Sequence, residues 1–97
     1  MRESKIEAHL VKCVKELGGE VRKVSWIGRR GAPDRLVMLP WLDGFAPNAY
    51  SRTFWVELKA PGKKAEPHQL REHKRMLAMG QRVVVIDSIE GVEELLS

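Results

Sequence analysis

Ninety-seven residues, 43% hydrophobic and 31% charged, suit one small folded domain over 1–97 and are too few for two. Lysine and arginine total 17 against 13 acidic residues, a net charge of +4 that is compatible with nucleic acid and also with ordinary solubility. Cys13 is alone, which excludes an intramolecular disulfide and points to a reducing compartment. No apolar run reaches membrane-spanning length and the start carries no apolar signal core, so a cytoplasmic protein is expected. A chain this short buries only about two thirds of its unfolded surface, so dimerisation would help it.

Ser4-Lys5-Ile6-Glu7 fits a capping box with Ser4 as N-cap and Glu7 at the third helical position. Ile6, Leu10, Val14 and Leu17 then recur at helical spacing until Gly18-Gly19 ends the helix. Cys13 falls inside this helix as a small apolar residue. Val21 to Ile27 reads as a first strand. Gly28-Arg29-Arg30-Gly31 is a glycine-flanked basic turn. Its two readings are a solvated turn and a close approach to a phosphate chain by Arg29 and Arg30. Its nearness to Asp34 favours the second.

Asp34 to Leu39 forms a strand-like run, and Pro33 is tolerated at its edge. Pro40 to Ser51 reads as a loop bearing Trp41, Phe45 and Tyr50. Those aromatics suit a base-stacking platform, a dimer contact or a plug for the core, and all three stay open. Phe54-Trp55-Val56-Glu57-Leu58-Lys59 then alternates, with Phe54, Val56 and Leu58 on one side. Glu57 and Lys59 share the other, their Cα atoms roughly 6.5 Å apart. Consecutive strands joined by a loop usually pair antiparallel, which sets Asp34 beside Glu57 and Lys59. Two carboxylates and the backbone carbonyl of Leu58 make a hard oxygen site for Mg²⁺, with Mn²⁺ as substitute. Such an ion binds a phosphate oxygen and polarises an attacking water, which Lys59 would hold or deprotonate. The plainer reading is a cross-strand ion pair on a surface strand, worth under about 1 kcal/mol.

Ala60-Pro61-Gly62-Lys63-Lys64 makes a turn with two further lysines. Pro67 opens a helix to about Met79, closed by Gly80, with Leu70, Leu77 and His73 as its expected buried stripe. His68 and His73 are five apart and do not share a face as zinc ligands would. No Walker loop or Ser/His/Asp arrangement is present. Arg82 to Asp87 is a continuous apolar run expected to be buried on both faces and parallel to the Glu57 strand. Ser88 to Leu96 reads as a terminal helix whose Val92, Leu95 and Leu96 would cover the sheet or meet a second subunit.

Gly31-Ala32-Pro33-Asp34-Arg35, then Phe54 through Lys63, then Gln69 on a helix, resemble the VRR-NUC branch of the PD-(D/E)xK nucleases. The likeness runs from Glu7 to about Val92 in the family's element order; the long 40–51 loop departs from its tighter hairpin. The resemblance implies an α/β fold with a restriction-endonuclease-like core, α-β-β-β-α-β-α around a mixed four-stranded sheet. It also implies a metal-site role for Glu7, beside its capping role, and a water- or phosphate-orienting role for Gln69. Lys23 matches a lysine on the phosphate side of the sheet, and is otherwise an exposed strand lysine. With Arg29, Arg30, Lys63 and Lys64 it makes up the expected nucleic-acid contacts.

The first functional reading is therefore a Mg²⁺-dependent DNA endonuclease. The resemblance adds a 5′-phosphate product, selectivity for branched DNA such as Holliday junctions, and action as a homodimer in phage or bacterial repair. The alternative is a non-catalytic basic DNA-binding module with the same fold. Against it, Asp34, Glu57 and Lys59 stand together in the expected order.

Overall fold

The computed structural model describes residues 2–40 and 52–97, so Trp41, Phe45 and Tyr50 lie outside the described residues. Its elements are α1 (Glu3–Glu16), β1 (Glu20–Lys23), β2 (Arg35–Met38), β3 (Thr53–Leu58), α2 (Pro67–Ala78), β4 (Val83–Ile86) and α3 (Ile89–Leu96). The order is the expected one.

In α1, Ile6, Leu10 and Val14 recur every four residues and are fully buried, one stripe facing the sheet. The expected capping box is absent: the helix begins at Glu3, with Arg2 as N-cap and no side-chain cap. The Glu7 carboxylate instead takes the guanidinium of Arg35, 28 residues away in sequence. A charge-assisted tertiary bond outweighs a local cap at that position. Leu17, the last of the expected apolar repeat, is 46% exposed at the helix end.

The sheet has the order β1-β2-β3-β4. β1 pairs antiparallel with β2, β2 antiparallel with β3, and β3 parallel with β4. Alternation along β3 sends Phe54, Val56 and Leu58 into the core with Val37 and Ile86. α1 and α3 cover this face. Ser88 caps α3, its hydroxyl accepting from the Gly91 amide at 2.9 Å. Val92 is fully buried and Leu95 and Leu96 pack against the core, so α3 covers the sheet.

Three further expectations need correction. β1 ends at Lys23 rather than Ile27. After the Val24 amide meets the Asp34 carbonyl at 3.0 Å, the chain leaves the ladder. The Trp26 indole N–H donates to the Pro33 carbonyl at 2.7 Å and its ring lies 5.1 Å from that of Trp55. That aromatic contact on the sheet's other face fixes the departure. β4 is not buried on both faces, because α2 covers its side of this edge strand less completely than α1 and α3 cover theirs. Ile86 is 3% exposed and Val85 41%. The third correction is the buried face of α2, which is Glu72, His73 and Met76, while Leu70 and Leu77 are about half exposed. α2 lies over the face that carries Glu57, so its inner residues are partners for charge as much as packing.

Candidate active site

The β2–β3 register pairs Arg35 with Val56, so Asp34 stands one step further on, opposite Glu57. The Glu57 side chain faces α2, where His73 approaches it, and Asp34 and Lys59 lie near enough to act on its charge. Lys59 is held in place by its own amide, which donates to the Ile86 carbonyl at 2.9 Å. The juxtaposition read from the sequence is present: two carboxylates and an ammonium at one end of the two central strands.

Their environments differ. The Asp34 side chain is half exposed, whereas Glu57 is buried. Burial, then the Asp34 charge, push the Glu57 carboxyl from its ordinary 4.5 up to about 7, against the pull of Lys59. One Glu57 oxygen, Oε1, is buried with no hydrogen-bond partner among the described residues. His73 Nε2 lies 3.4 Å from it, equally without a partner. Burial holds the His73 imidazole below its ordinary value; Glu72 opposes this and Lys59 adds to it. His73 is thus neutral at neutral pH and does not pair Glu57 as a cation.

Arg35 links two of the acidic candidates. It is ion-paired with Glu7 of α1 and, through Nη1, with Asp34 Oδ1 at 2.9 Å. Burial works against its charge, but the Glu7 bond and the Asp34 charge outweigh that and hold its pKa above the ordinary value. Glu7 therefore reaches the site's margin through an arginine. Gln69 sits at the third position of α2, and its side-chain carbonyl accepts from the Glu66 amide at 2.8 Å, closing a capping box with Glu66.

Among the expected nucleic-acid contacts, Lys23 is exposed at the end of β1 that meets Arg35. Arg29 and Arg30 are exposed on the turn before Asp34. The turn is pressed onto α2: Gly31 has φ +86°, and a Cβ there would lie 2.7 Å from the His68 carbonyl oxygen. Lys63 and Lys64 line an open groove with Leu70, Val85 and Asp87. Sequence reasoning missed Arg35, the Glu57–His73 contact and Glu72. For Glu72 a signal existed, since Glu72 and Arg75 are three apart on a helix.

A divalent ion fits this donor set. Its warrant is the chemistry of the oxygens: an exposed Asp34, a buried Glu57 with one oxygen unpartnered, and the Leu58 carbonyl between Glu57 and Lys59. Among the described residues no three His, Cys, Asp or Glu side chains converge into a closed cage. Mg²⁺ is ordinarily held by one or two carboxylates, with water and substrate phosphate completing its shell.

A mixed four-stranded sheet with helices on both faces and acidic groups gathered where its central strands end is the restriction-endonuclease-like layout of nucleases. No family model matches the chain. A protein of Acyrthosiphon pisum secondary endosymbiont phage 1, named "Putative nuclease p44", is 48% identical over 88 residues, covering 91% of this chain and 85% of that protein. A solved structure described as "VRR_NUC domain" superposes with a TM-score of 0.79 at 38% identity, over 97% of this chain and 92% of its own. The chain belongs to the VRR-NUC family of nucleases.

Proposed function

We propose that the chain is a Mg²⁺-dependent DNA endonuclease, folded as one domain over 1–97, with Asp34, Glu57 and the Leu58 carbonyl as metal ligands. The observation that carries this reading is the buried Oε1 of Glu57, without a hydrogen-bond partner among the described residues, within reach of the Asp34 charge and two residues from Lys59. Uncompensated burial of a carboxylate is costly, and a site that keeps one has a ligand to receive. A bound divalent ion supplies charge neutralisation at the scissile phosphate and a water acidic enough to attack. The chain's own residues do the rest. Lys59 holds that water or offsets the developing charge, and Lys23, Arg29, Arg30, Lys63 and Lys64 hold the flanking backbone. Glu7 supports the site through Arg35, and the amide end of Gln69 is left to orient water or phosphate.

Branched DNA as substrate, a homodimer as the acting form and a cytoplasmic setting belong to the same reading. Leu77 and Met79 at the end of α2 are 53% and 70% exposed, apolar residues suited to contact with a second copy. Among the described residues no helix is long and apolar enough to cross a membrane. One observation favours the alternative, a DNA-binding module that does not cut: Arg35 is already paired with both Glu7 and Asp34, as in a purely structural ion network. The test is incubation of the protein and its Asp34→Asn variant with linear duplex, single strand and a four-way junction, in Mg²⁺, Mn²⁺ or EDTA. Metal-dependent cutting lost in the variant supports the endonuclease. Binding without cutting in every metal moves the reading to the module.

A further inference from the structure

The acid that α2 buries most completely is not at the carboxylate edge. The Glu72 side chain is 4% exposed, yet both its oxygens are taken by arginines that are themselves half exposed. Arg75, one turn along α2, donates Nε and Nη2 to Glu72 Oε1 at 2.9 and 2.7 Å. Arg29, from the basic turn before Asp34, brings Nε to within 3.4 Å of Glu72 Oε2. The turn can reach because Gly31 lets its backbone press onto the start of α2, where any Cβ would strike the His68 carbonyl. Two elements more than forty residues apart in sequence are thereby joined through one buried charge.

A guanidinium carries five N–H donors in a fixed fork. Glu72 accepts from the inner donors of Arg75 and is ion-paired with Nε of Arg29. Nη donors beyond those that Glu72 takes are left on both arginines, whose side chains are each about half exposed. One carboxylate against two guanidiniums leaves the trio with a net positive charge. Ordering a long side chain on binding costs free energy, and here that ordering is made in advance. The neighbouring residue on α2, His73, is the one in contact with Glu57, so the trio flanks the acidic site.

We propose that Arg29 and Arg75, pre-positioned by the buried Glu72, form a clamp for a backbone phosphate of DNA beside the carboxylate edge. Glu72 is a positioning residue and touches no DNA; Arg75 is a phosphate contact additional to those on the basic turn. The inference rests on the DNA-binding reading above.

The test is fluorescence anisotropy of a labelled DNA duplex in EDTA, across a salt series, with melting temperature measured for each variant. The decisive variant is Glu72→Gln, because two accounts predict opposite signs. It raises the net charge from +4 to +5, so undirected electrostatics tighten binding. Loss of the clamp weakens binding instead and lowers the slope of log K against log salt by about one. Arg75→Gln is compared with Arg71→Gln, an equal change of charge at an exposed position on the same helix. Arg75→Gln should lose at least about threefold more affinity. If Glu72→Gln fails to fold, this pair decides alone. Tighter or unchanged binding in Glu72→Gln, or equal losses in the two arginine variants, overturns the clamp and leaves the endonuclease standing. A parent protein that binds no duplex overturns the clamp, while the cleavage assay on the four-way junction decides the endonuclease separately.

Discussion

Glu57→Gln should make the metal-free protein more stable while removing its activity. The Glu57 carboxyl is raised from 4.5 to about 7 in the fold, chiefly by burial. As pH rises from 4.5 the unfolded chain ionises first, so the folded state holds its proton more tightly in that window. Stability from this group is complete below pH 4.5 and is lost as pH climbs through 7. Linkage puts the loss at about 0.8 kcal/mol by pH 5 and about 3.3 kcal/mol by pH 8, a change of about 2.5 kcal/mol. The amide does not titrate, so the variant escapes the loss. His73, the neighbouring titratable group, is common to both proteins and is neutral at pH 8. The assay is urea unfolding of parent and variant in EDTA at pH 5 and pH 8. The stability gap should move in the variant's favour by about 2.5 kcal/mol between the two. Saturating Mg²⁺ at pH 8 should then restore the parent selectively, by about 2.7 kcal/mol at a hundred times Kd. A gap that does not change with pH would refute the argument, since Glu57 would then be compensated in the fold. Full cleavage by Glu57→Gln would separately remove it from the metal site.

Three further outcomes follow from named contacts. Lys59→Ala should lower turnover strongly at every Mg²⁺ concentration while leaving the urea midpoint close to the parent's; rescue by excess metal would make Lys59 a binding aid only. Gly31→Ala should cost about 1–3 kcal/mol, because its φ of +86° and the 2.7 Å approach to the His68 carbonyl leave no room for a Cβ. A variant as stable as the parent would mean that the basic turn does not rest on α2. Leu10→Ala, fully buried between α1 and the sheet, should cost about 2–5 kcal/mol by urea unfolding. A loss well under that range would place α1 off the core.

The element order was legible in the residues alone, and so was the approach of Asp34 to Glu57. Both follow from local rules: period-two alternation makes strands, and strands joined by a loop pair antiparallel, so the start of one meets the end of the next. Even a parallel β4 followed from the intervening helix. The tertiary structure alone decided which side chains of α2 turn inwards. Leu70 and Leu77 are the apolar candidates by spacing, yet the helix turns Glu72, His73 and Met76 to the protein. It does so because the sheet face beneath carries Glu57 and Trp55, and the neighbouring turn brings Arg29 to be paired. An apolar-stripe rule has no means of seeing a buried charge whose partner arrives from another element. The Glu7–Arg35 pair is the same case. Read locally, Glu7 is a helix cap; across 28 residues it is half of an ion pair with an arginine that also holds Asp34. Strand pairing is set by neighbours in the chain, whereas charge pairing is set by neighbours in space, and only the folded chain supplies those.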